Sequence, residues 1–239
     1  MKAMLLAAGR GERMRPLTDD TAKPLLAAGG HALIDYHLHA LQRAGVESVV
    51  VNLSWQAARV RAHLGDATRF GFGLRFSEEG PVPLETGGGI HRALPWLAPG
   101  PFLVVNADVW TDFPLESLAL PAGSLAHLVL VPNPEHHPGG DFALGGSGRI
   151  GDDGPKLTYS GLGLFEPGLF EGCRPGRFPL KPLLDRAREA GRLSGEVWAG
   201  RWFDVGTPAR LEALDRALRA GDFFHPSLPA TAREPGRAG

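Results

Sequence analysis

Leu5-Leu6-Ala7-Ala8-Gly9-Arg10-Gly11-Glu12-Arg13-Met14-Arg15-Pro16-Leu17-Thr18 joins an apolar run to a glycine-rich turn carrying three arginines, and Lys23-Pro24-Leu25 follows closely. A turn of this kind at the carboxyl end of a strand can aim several backbone N–H groups at a phosphate, because glycine permits close approach and positive φ. A dinucleotide fingerprint needs a third glycine where Met14 stands, and a P-loop needs Gly-Lys-Ser/Thr, which the stretch lacks. What remains holds more positive charge than a redox dinucleotide requires and suits a triphosphate. The plain alternative is a surface loop with solvated arginines.

Outward from that turn, Lys2–Ala7, Glu47–Leu53, Leu74–Ser77, Pro101–Asn106 and Leu125–Val131 are Val/Leu-rich runs of strand length. Between them, Leu33–Ala44 places Ile34, Leu38 and Leu41 on one helical face and stops at Gly45, and Trp55–Leu64 stops at Gly65. Thr207-Pro208 reads as an N-cap with Pro at the first helical position, and Leu211, Leu214 and Leu218 recur at helical spacing up to Gly221. The alternation predicts an α/β fold, a Rossmann-like and mostly parallel sheet flanked by helices, with ligands beyond the carboxyl ends of the strands. From Pro132 to about Pro155 the chain turns Gly/Pro/His/Asp-rich, while Leu157–Phe165 and Glu196–Val205 read as further strands. A smaller mixed β lobe for a second substrate is expected there. Pro226–Gly239, poor in large apolar residues, reads as a disordered tail.

The chain has 239 residues, 43% of them hydrophobic, enough to fold as one domain over about residues 1–225. Lys+Arg 25 against Asp+Glu 26 leaves a net charge of −1, so no global basic field gathers nucleic acid or anionic lipid. Any phosphate must be bound locally. The single cysteine, Cys173, excludes an intramolecular disulfide and a Cys-rich zinc or iron–sulfur site. No apolar run has membrane-spanning length, and the N-terminus reaches Gly9-Arg10 before a signal-peptide core is complete. A cytoplasmic protein without membrane contact is expected, as a monomer or homodimer.

The run Leu6-Ala7-Ala8-Gly9-x-Gly11-x-Arg13-x-x-Pro16-Leu17-Thr18 with Lys23-Pro24-Leu25 resembles the signature of the sugar-1-phosphate nucleotidyltransferases, which make NDP-sugars from an NTP and a sugar 1-phosphate. The order of the other motifs agrees: Leu84-Glu85-Thr86-Gly87-Gly88-Gly89, then Val105-Asn106-Ala107-Asp108, then Trp202-Phe203-Asp204-Val205-Gly206-Thr207-Pro208. The likeness covers roughly residues 1–220. Within the family, the Leu84–Gly89 wording, the run from Asn106 to Asp112, His136-His137 and the short length are most similar to a uridylyltransferase branch. That implies UTP and a sugar 1-phosphate as substrates. A nucleotide-binding part over about residues 1–130, a sugar-binding part over about 131–205 and a C-terminal helix over about 207–220 follow from the same likeness. The alternatives are GTP with mannose 1-phosphate, dTTP or UTP with glucose 1-phosphate, or a non-catalytic sugar-nucleotide sensor. Sensors usually lose the loop arginine, the lysine or a metal aspartate, and Arg13, Lys23, Asp108 and Asp204 are all present.

A phosphate monoester has a second pKa of about 6, so the attacking oxygen of a sugar 1-phosphate needs no general base. The barrier is the crowding of two polyanions, which calls for cations, backbone donors and in-line positioning. The resemblance makes Arg13 and Lys23 the catalytic cations, Arg13 along the triphosphate and Lys23 near the α-phosphate and sugar phosphate. Lys23 is one of only four lysines, which weakens its reading as a chance surface residue. Ala8, Gly9, Gly11 and Glu12 would offer loop backbone to the nucleotide, with Arg10 and Arg15 as supporting charges. Asp108 and Asp204, each after an apolar strand run, would clamp Mg2+, a cation suited to a few carboxylates plus phosphate oxygens and water. Asp112 reads as a helix cap. Gly87, Gly88 and Gly89 precede an expected helix over Ile90–Leu97, where backbone can approach a base or sugar; the plain alternative is a tight turn needing small residues. Gly88 and Glu85 are nucleotide-binding candidates, and Glu78 or Glu79 could face the uracil edge. Asn106 and Asp141 are the sugar-binding candidates. Many members carry Glu-Lys-Pro in the second lobe, where this chain has Gly154-Pro155-Lys156, so the resemblance supplies no lysine for that phosphate clamp. His136-His137 read as loop residues, and the five tryptophans as core or cleft-wall aromatics.

Overall fold

The apolar runs on either side of the opening turn form the middle of a nine-stranded sheet in the computed structural model, which describes residues 1–66 and 68–228. The strands are β1 (Lys2–Leu6), β2 (Ala27–Ala28), β3 (His31–Ala32), β4 (Ser48–Leu53), β5 (Gly73–Glu78), β6 (Phe102–Asn106) and β7 (Val109–Thr111). They continue as β8 (Ala126–Val131), β9 (Phe142–Leu144), β10 (Ile150–Gly151), β11 (Lys156–Phe165), β12 (Leu193–Val197) and β13 (Trp202–Asp204). The α-helices are α1 (Leu33–Arg43), α2 (Ala57–Leu64), α3 (Glu85–Leu97), α4 (Lys181–Glu189) and α5 (Pro208–Ala220).

Strands β5, β4, β1 and β6 pair in parallel, as the strand–helix alternation predicts. β11 then runs antiparallel to β6 and β8, and β12 is parallel to β8. β9 and β10 extend the sheet antiparallel beyond the first residues of β11, which gives the smaller mixed region. Both faces of the sheet are covered, so its strands alternate between two buried layers rather than between core and water. Leu5, Val49, Val51, Leu103 and Val105 pack with Ile34, Leu38 and Leu41 of α1 on one face. Met4, Val50, Phe102 and Val104 pack with Ile90, Ala93 and Leu97 of α3 and with Leu183, Leu184 and Ala187 of α4 on the other. A third cluster joins Met14, Tyr36, Trp110 and Leu214, tying the opening loop, α1, β7 and α5 together.

Four expectations need correction. The glycines 87–89 lie inside α3, which starts at Glu85 rather than after them. Glu196–Val205 is not one strand: β12 ends at Val197, and Trp198 and Arg201 leave the sheet to meet Asp112 before β13 begins. α2 starts at Ala57 because Trp55 is turned toward the opening loop. Asp112 caps no helix; its carboxylate accepts from Trp198 Nε1 at 3.0 Å and from the Arg201 amide at 2.8 Å. The expected tail falls mostly outside the described residues, and its first residues are ordered enough for Leu228 to pack on the third cluster. No helix among the described residues is long and apolar enough to cross a membrane.

Candidate active site

Leu6 pairs with Asn52 on one side and Asn106 on the other, so the carboxyl ends of β4, β1 and β6 finish level. They open on a cleft of about 190 Å³. It brings together Ala8, Gly9, Lys23, Glu79, Glu85, Asn106 and Asp108, seven of the residues singled out from the sequence. Asn52 and Thr86, which the sequence reading missed, line it too. For Asn52 a signal existed: it is a polar residue in the apolar run Val49-Val50-Val51-Asn52-Leu53, at the same rank as Asn106.

The glycine turn leaves β1 with its backbone pinned. The Ala7 amide donates to Asn52 Oδ1 at 2.7 Å, and the Ala107 amide donates to the Leu6 carbonyl at 3.0 Å. Gly11 sits at φ +65°, a left-handed conformation that favours glycine, and its carbonyl accepts from Thr18 Oγ1 and from the Met14 amide, both at 2.8 Å. Met14 is fully buried and anchors the short 3-10 turn Glu12–Met14. Gly9, by contrast, has nothing within 4 Å of where a Cβ would stand. Its backbone is open to a ligand. Gly11, Glu12 and Arg13 lie beyond the residues that line the cleft. Arg13 is exposed and makes no hydrogen bond or ion pair among the described residues, while Arg10 stacks over Trp55 and Arg15 pairs with Asp19 at 2.6 Å.

Lys23 is almost buried, its side chain 9% exposed, and its Nζ lies 2.7 Å from Asp108 Oδ2. Asp108 keeps 41% of its side chain exposed, so the carboxylate reaches from the buried ammonium into the open cleft. Asn106 lies one turn of chain earlier. Its amide makes no hydrogen bond among the described residues, and Gly161 at φ +86° leaves room for it, since a Cβ there would fall 2.9 Å from three Asn106 side-chain atoms. The register of β11 against β8 shifts at the same place.

Asp204 ends β13, which pairs with β7, and the Val205 amide donates to the Asp108 carbonyl at 3.0 Å. The two aspartates therefore leave neighbouring chains. Asp204 Oδ2 meets Arg210 Nη1 at 2.9 Å and His136 Nε2 at 3.1 Å, while Asp141 accepts from the Tyr159 amide at 2.8 Å and faces His137 Nε2 at 3.1 Å. The adjacent histidines are loop residues, each tied to a different aspartate. Asp141 holds its loop to β11 and lines a separate pocket with Lys156, Lys181 and Arg188, away from the main cleft. Among the described residues no group of three His, Cys, Asp or Glu is placed to hold a metal alone. Asp108, half open to the cleft, suits a hard cation whose shell is completed by phosphate oxygens and water, whereas Asp204 Oδ2 is held by Arg210 and His136 and would have to share or exchange those partners to join it.

Of the two glutamates offered as alternatives, Glu79 lines the cleft and Glu78 does not. Glu78 pairs with Arg61 on the surface. Glu79 Oε1 accepts from Asn52 Nδ2, and Oε2 from the Leu84 amide, both at 2.7 Å, so its carboxylate is held inside the cleft floor. The glycines of α3 serve packing. A Cβ on Gly87 would lie 2.6 Å from the Phe178 ring, on Gly88 2.2 Å from the Gly176 carbonyl, and on Gly89 2.5 Å from Glu79 Oε1. Their smallness admits the 176–179 segment and the Glu79–Asn52 pair, which is the packing counterpart of the small-residue alternative. Gly88 points its amide at the Phe178 carbonyl at 3.0 Å, so that donor is occupied.

Behind β7, His37 Nε2 donates to the Val109 carbonyl at 2.7 Å. Burial pushes its pKa down to about 4, and that of His225, packed on Tyr36 and Trp110, down to about 3. Both rings are neutral supports under the strand that follows Asp108.

Comparison with known proteins shows the family and the fold. Residues 2–139 match the nucleotidyl transferase family model. The chain is 45% identical over 221 residues to an N-acetylmuramate alpha-1-phosphate uridylyltransferase of Neisseria meningitidis serogroup B, covering 89% of this chain and 96% of the relative. It is 38% identical over 235 residues to the protein of the same description from Caulobacter vibrioides, covering 91% and 97%. A solved structure of a Bacillus anthracis protein in complex with a sucrose superposes with TM-score 0.80 at 17% identity, over 94% of this chain and 97% of that one.

Proposed function

The chain belongs to the nucleotidyl transferase family, and on that premise we propose that it joins UTP to N-acetylmuramate α-1-phosphate, giving UDP-N-acetylmuramate and pyrophosphate. Its relatives are sugar-1-phosphate nucleotidyltransferases, and two of them carry this activity in their descriptions over nearly their whole length. The observation that carries the reading is the Lys23–Asp108 pair at the mouth of a cleft floored by a glycine turn. A buried ammonium beside an exposed carboxylate at the strand ends is where a polyanion and its counter-ion would be received.

In the reaction an unesterified phosphate oxygen of the sugar 1-phosphate attacks the α-phosphorus of UTP. The bond from that phosphorus to the α,β-bridging oxygen breaks, and pyrophosphate leaves. The open backbone at Gly9 faces the triphosphate, and Lys23 meets charge that grows on the oxygens around the α-phosphorus. Arg13, exposed and unpaired, is free to fold onto the β- and γ-phosphates with a two-pronged contact. Asn106 offers its amide to the sugar, and Asp141 stands further out as a sugar-side candidate. Asp108 and Asp204 would hold Mg2+, which when bound neutralises phosphate charge between the two substrates. Ala8, Gly11, Glu12 and Glu85 complete the nucleotide side of the reading, while Gly88, named with them from the sequence, contributes through packing beneath the turn. With that substrate pair, the reading extends to a role in peptidoglycan recycling in the cytoplasm. A monomer or a homodimer is the assembly this reading expects.

Pyrophosphate release across a panel of NTPs and sugar 1-phosphates tests the proposal. UTP with N-acetylmuramate α-1-phosphate should be the best pair; if it ranks among the poorest, the substrate assignment fails.

A further inference from the structure

Glu85 lines the nucleotide cleft with its backbone at φ +61°, a left-handed conformation rare for a residue bearing a Cβ. Such a conformation persists only where its surroundings over-determine it. The surroundings here come from residues 174–180, a segment between Cys173 and α4 far away in sequence. Arg177 Nη2 lies 2.8 Å from Glu85 Oε1. The Phe178 amide donates to the Leu84 carbonyl at 3.1 Å, and the Gly88 amide donates to the Phe178 carbonyl at 3.0 Å, so both sides of the Glu85–Thr86 turn are bonded to one residue. The Phe178 ring and the Pro179 carbonyl occupy the space a Cβ on Gly87 would need, and the Gly176 carbonyl that of a Cβ on Gly88.

We propose that the 174–180 segment is a strap that sets the Glu85–Thr86 turn for the nucleotide, with Arg177 as the positioning residue that holds Glu85 in its left-handed conformation. This rests on the reading of the cleft as the UTP site. Arg177 touches neither reacting atom. It acts through Glu85, whose carboxylate it holds at 2.8 Å so that the turn keeps its shape at the cleft. A glycine at position 85 would adopt the same conformation without help, so the need for Arg177 should vanish when Glu85 is replaced by glycine.

A double-mutant cycle on the full chain tests the strap, with Arg177→Ala, Glu85→Gly and the combination each measured for UTP KM, kcat and amide exchange at Gly88. Arg177→Ala should raise the UTP KM by about three- to five-fold, the range of a partly exposed ion pair, with kcat within about two-fold and faster exchange at Gly88. In the Glu85→Gly background, Arg177→Ala should change neither KM nor exchange. An unchanged KM and exchange in Arg177→Ala alone, or an equal effect in both backgrounds, overturns the strap. If the wild-type chain does not use UTP while Arg177→Ala speeds exchange only in the Glu85 background, the strap stands and the nucleotide assignment falls.

Discussion

Lys23 Nζ and Asp108 Oδ2 lie 2.7 Å apart where the loop leaving β1 meets the chain leaving β6. The ammonium is buried and the carboxylate half open, so the pair faces the cleft with its negative member forward until a cation or phosphate joins it. Lys23→Ala should lower kcat by at least about 100-fold, the cost of losing a preorganised charge at the reacting phosphate. Melting should shift by only a few degrees, because Asp108 can turn to water. A variant with wild-type turnover in the pyrophosphate-release assay would remove Lys23 from the chemistry.

Gly9 and Gly88 separate ligand contact from packing. Gly9→Ala meets no protein atom, so it should melt like the wild type while its UTP KM rises by about ten-fold, as a methyl group intrudes on the phosphate. Gly88→Ala puts a Cβ against the Gly176 carbonyl and should destabilise the fold by about 1–3 kcal/mol, the usual cost of overpacking. Thermal melts and steady-state kinetics on both variants check the contrast. Equal melting temperatures for the two would contradict it.

The chain Ala7 amide, Asn52, Glu79, Leu84 amide crosses the cleft floor through three hydrogen bonds of 2.7 Å. Asn52→Leu leaves the Ala7 amide and one Glu79 oxygen without partners, at a cost of about 1–3 kcal/mol per buried group. Urea titration should show the loss. Glu79→Gln, which can still accept one of its two bonds, should fall between Asn52→Leu and the wild type.

These residues mark how far the sequence could be read. The parallel strands were legible because Val/Leu runs at β1, β4 and β6 are buried on both faces, and α1 and α5 because their leucines keep helical spacing to a glycine stop. The cleft residues Ala8, Gly9, Asn106 and Asp108 were legible because strand ends and a glycine turn sit beside them in sequence, and Lys23 through the family resemblance. The placement of the 87–89 glycines was misread and the hydrogen bonds of Glu79 were not legible, since the partners, Phe178 and Asn52, are decided by tertiary packing that local pattern does not encode. α4 was missed because its apolar stripe, Leu183, Leu184 and Ala187, covers little more than one turn among charged residues.

The buried histidines give a pH dependence of known sign. His37 titrates near 6.5 when unfolded and at about 4 when folded, so the unfolded chain binds the extra proton between those values. Its contribution is present above pH 6.5 and is lost as pH falls toward 4, up to on the order of 3 kcal/mol at 1.36 kcal/mol per unit. His225, depressed further to about 3, acts in the same direction. Melting temperature should therefore drop through that window, and less steeply in His37→Gln, which keeps a donor for the Val109 carbonyl. A flat wild-type profile from pH 6.5 to 4 would contradict the buried neutral rings.

The most direct test of the site is a crystal structure with UTP and Mg2+. The triphosphate should lie along the backbone of Gly9, with its α-phosphate beside Lys23 and the metal at Asp108. Density for the nucleotide in the separate pocket of Asp141, Lys156 and Lys181, with the Lys23–Asp108 cleft left to solvent, would contradict the account.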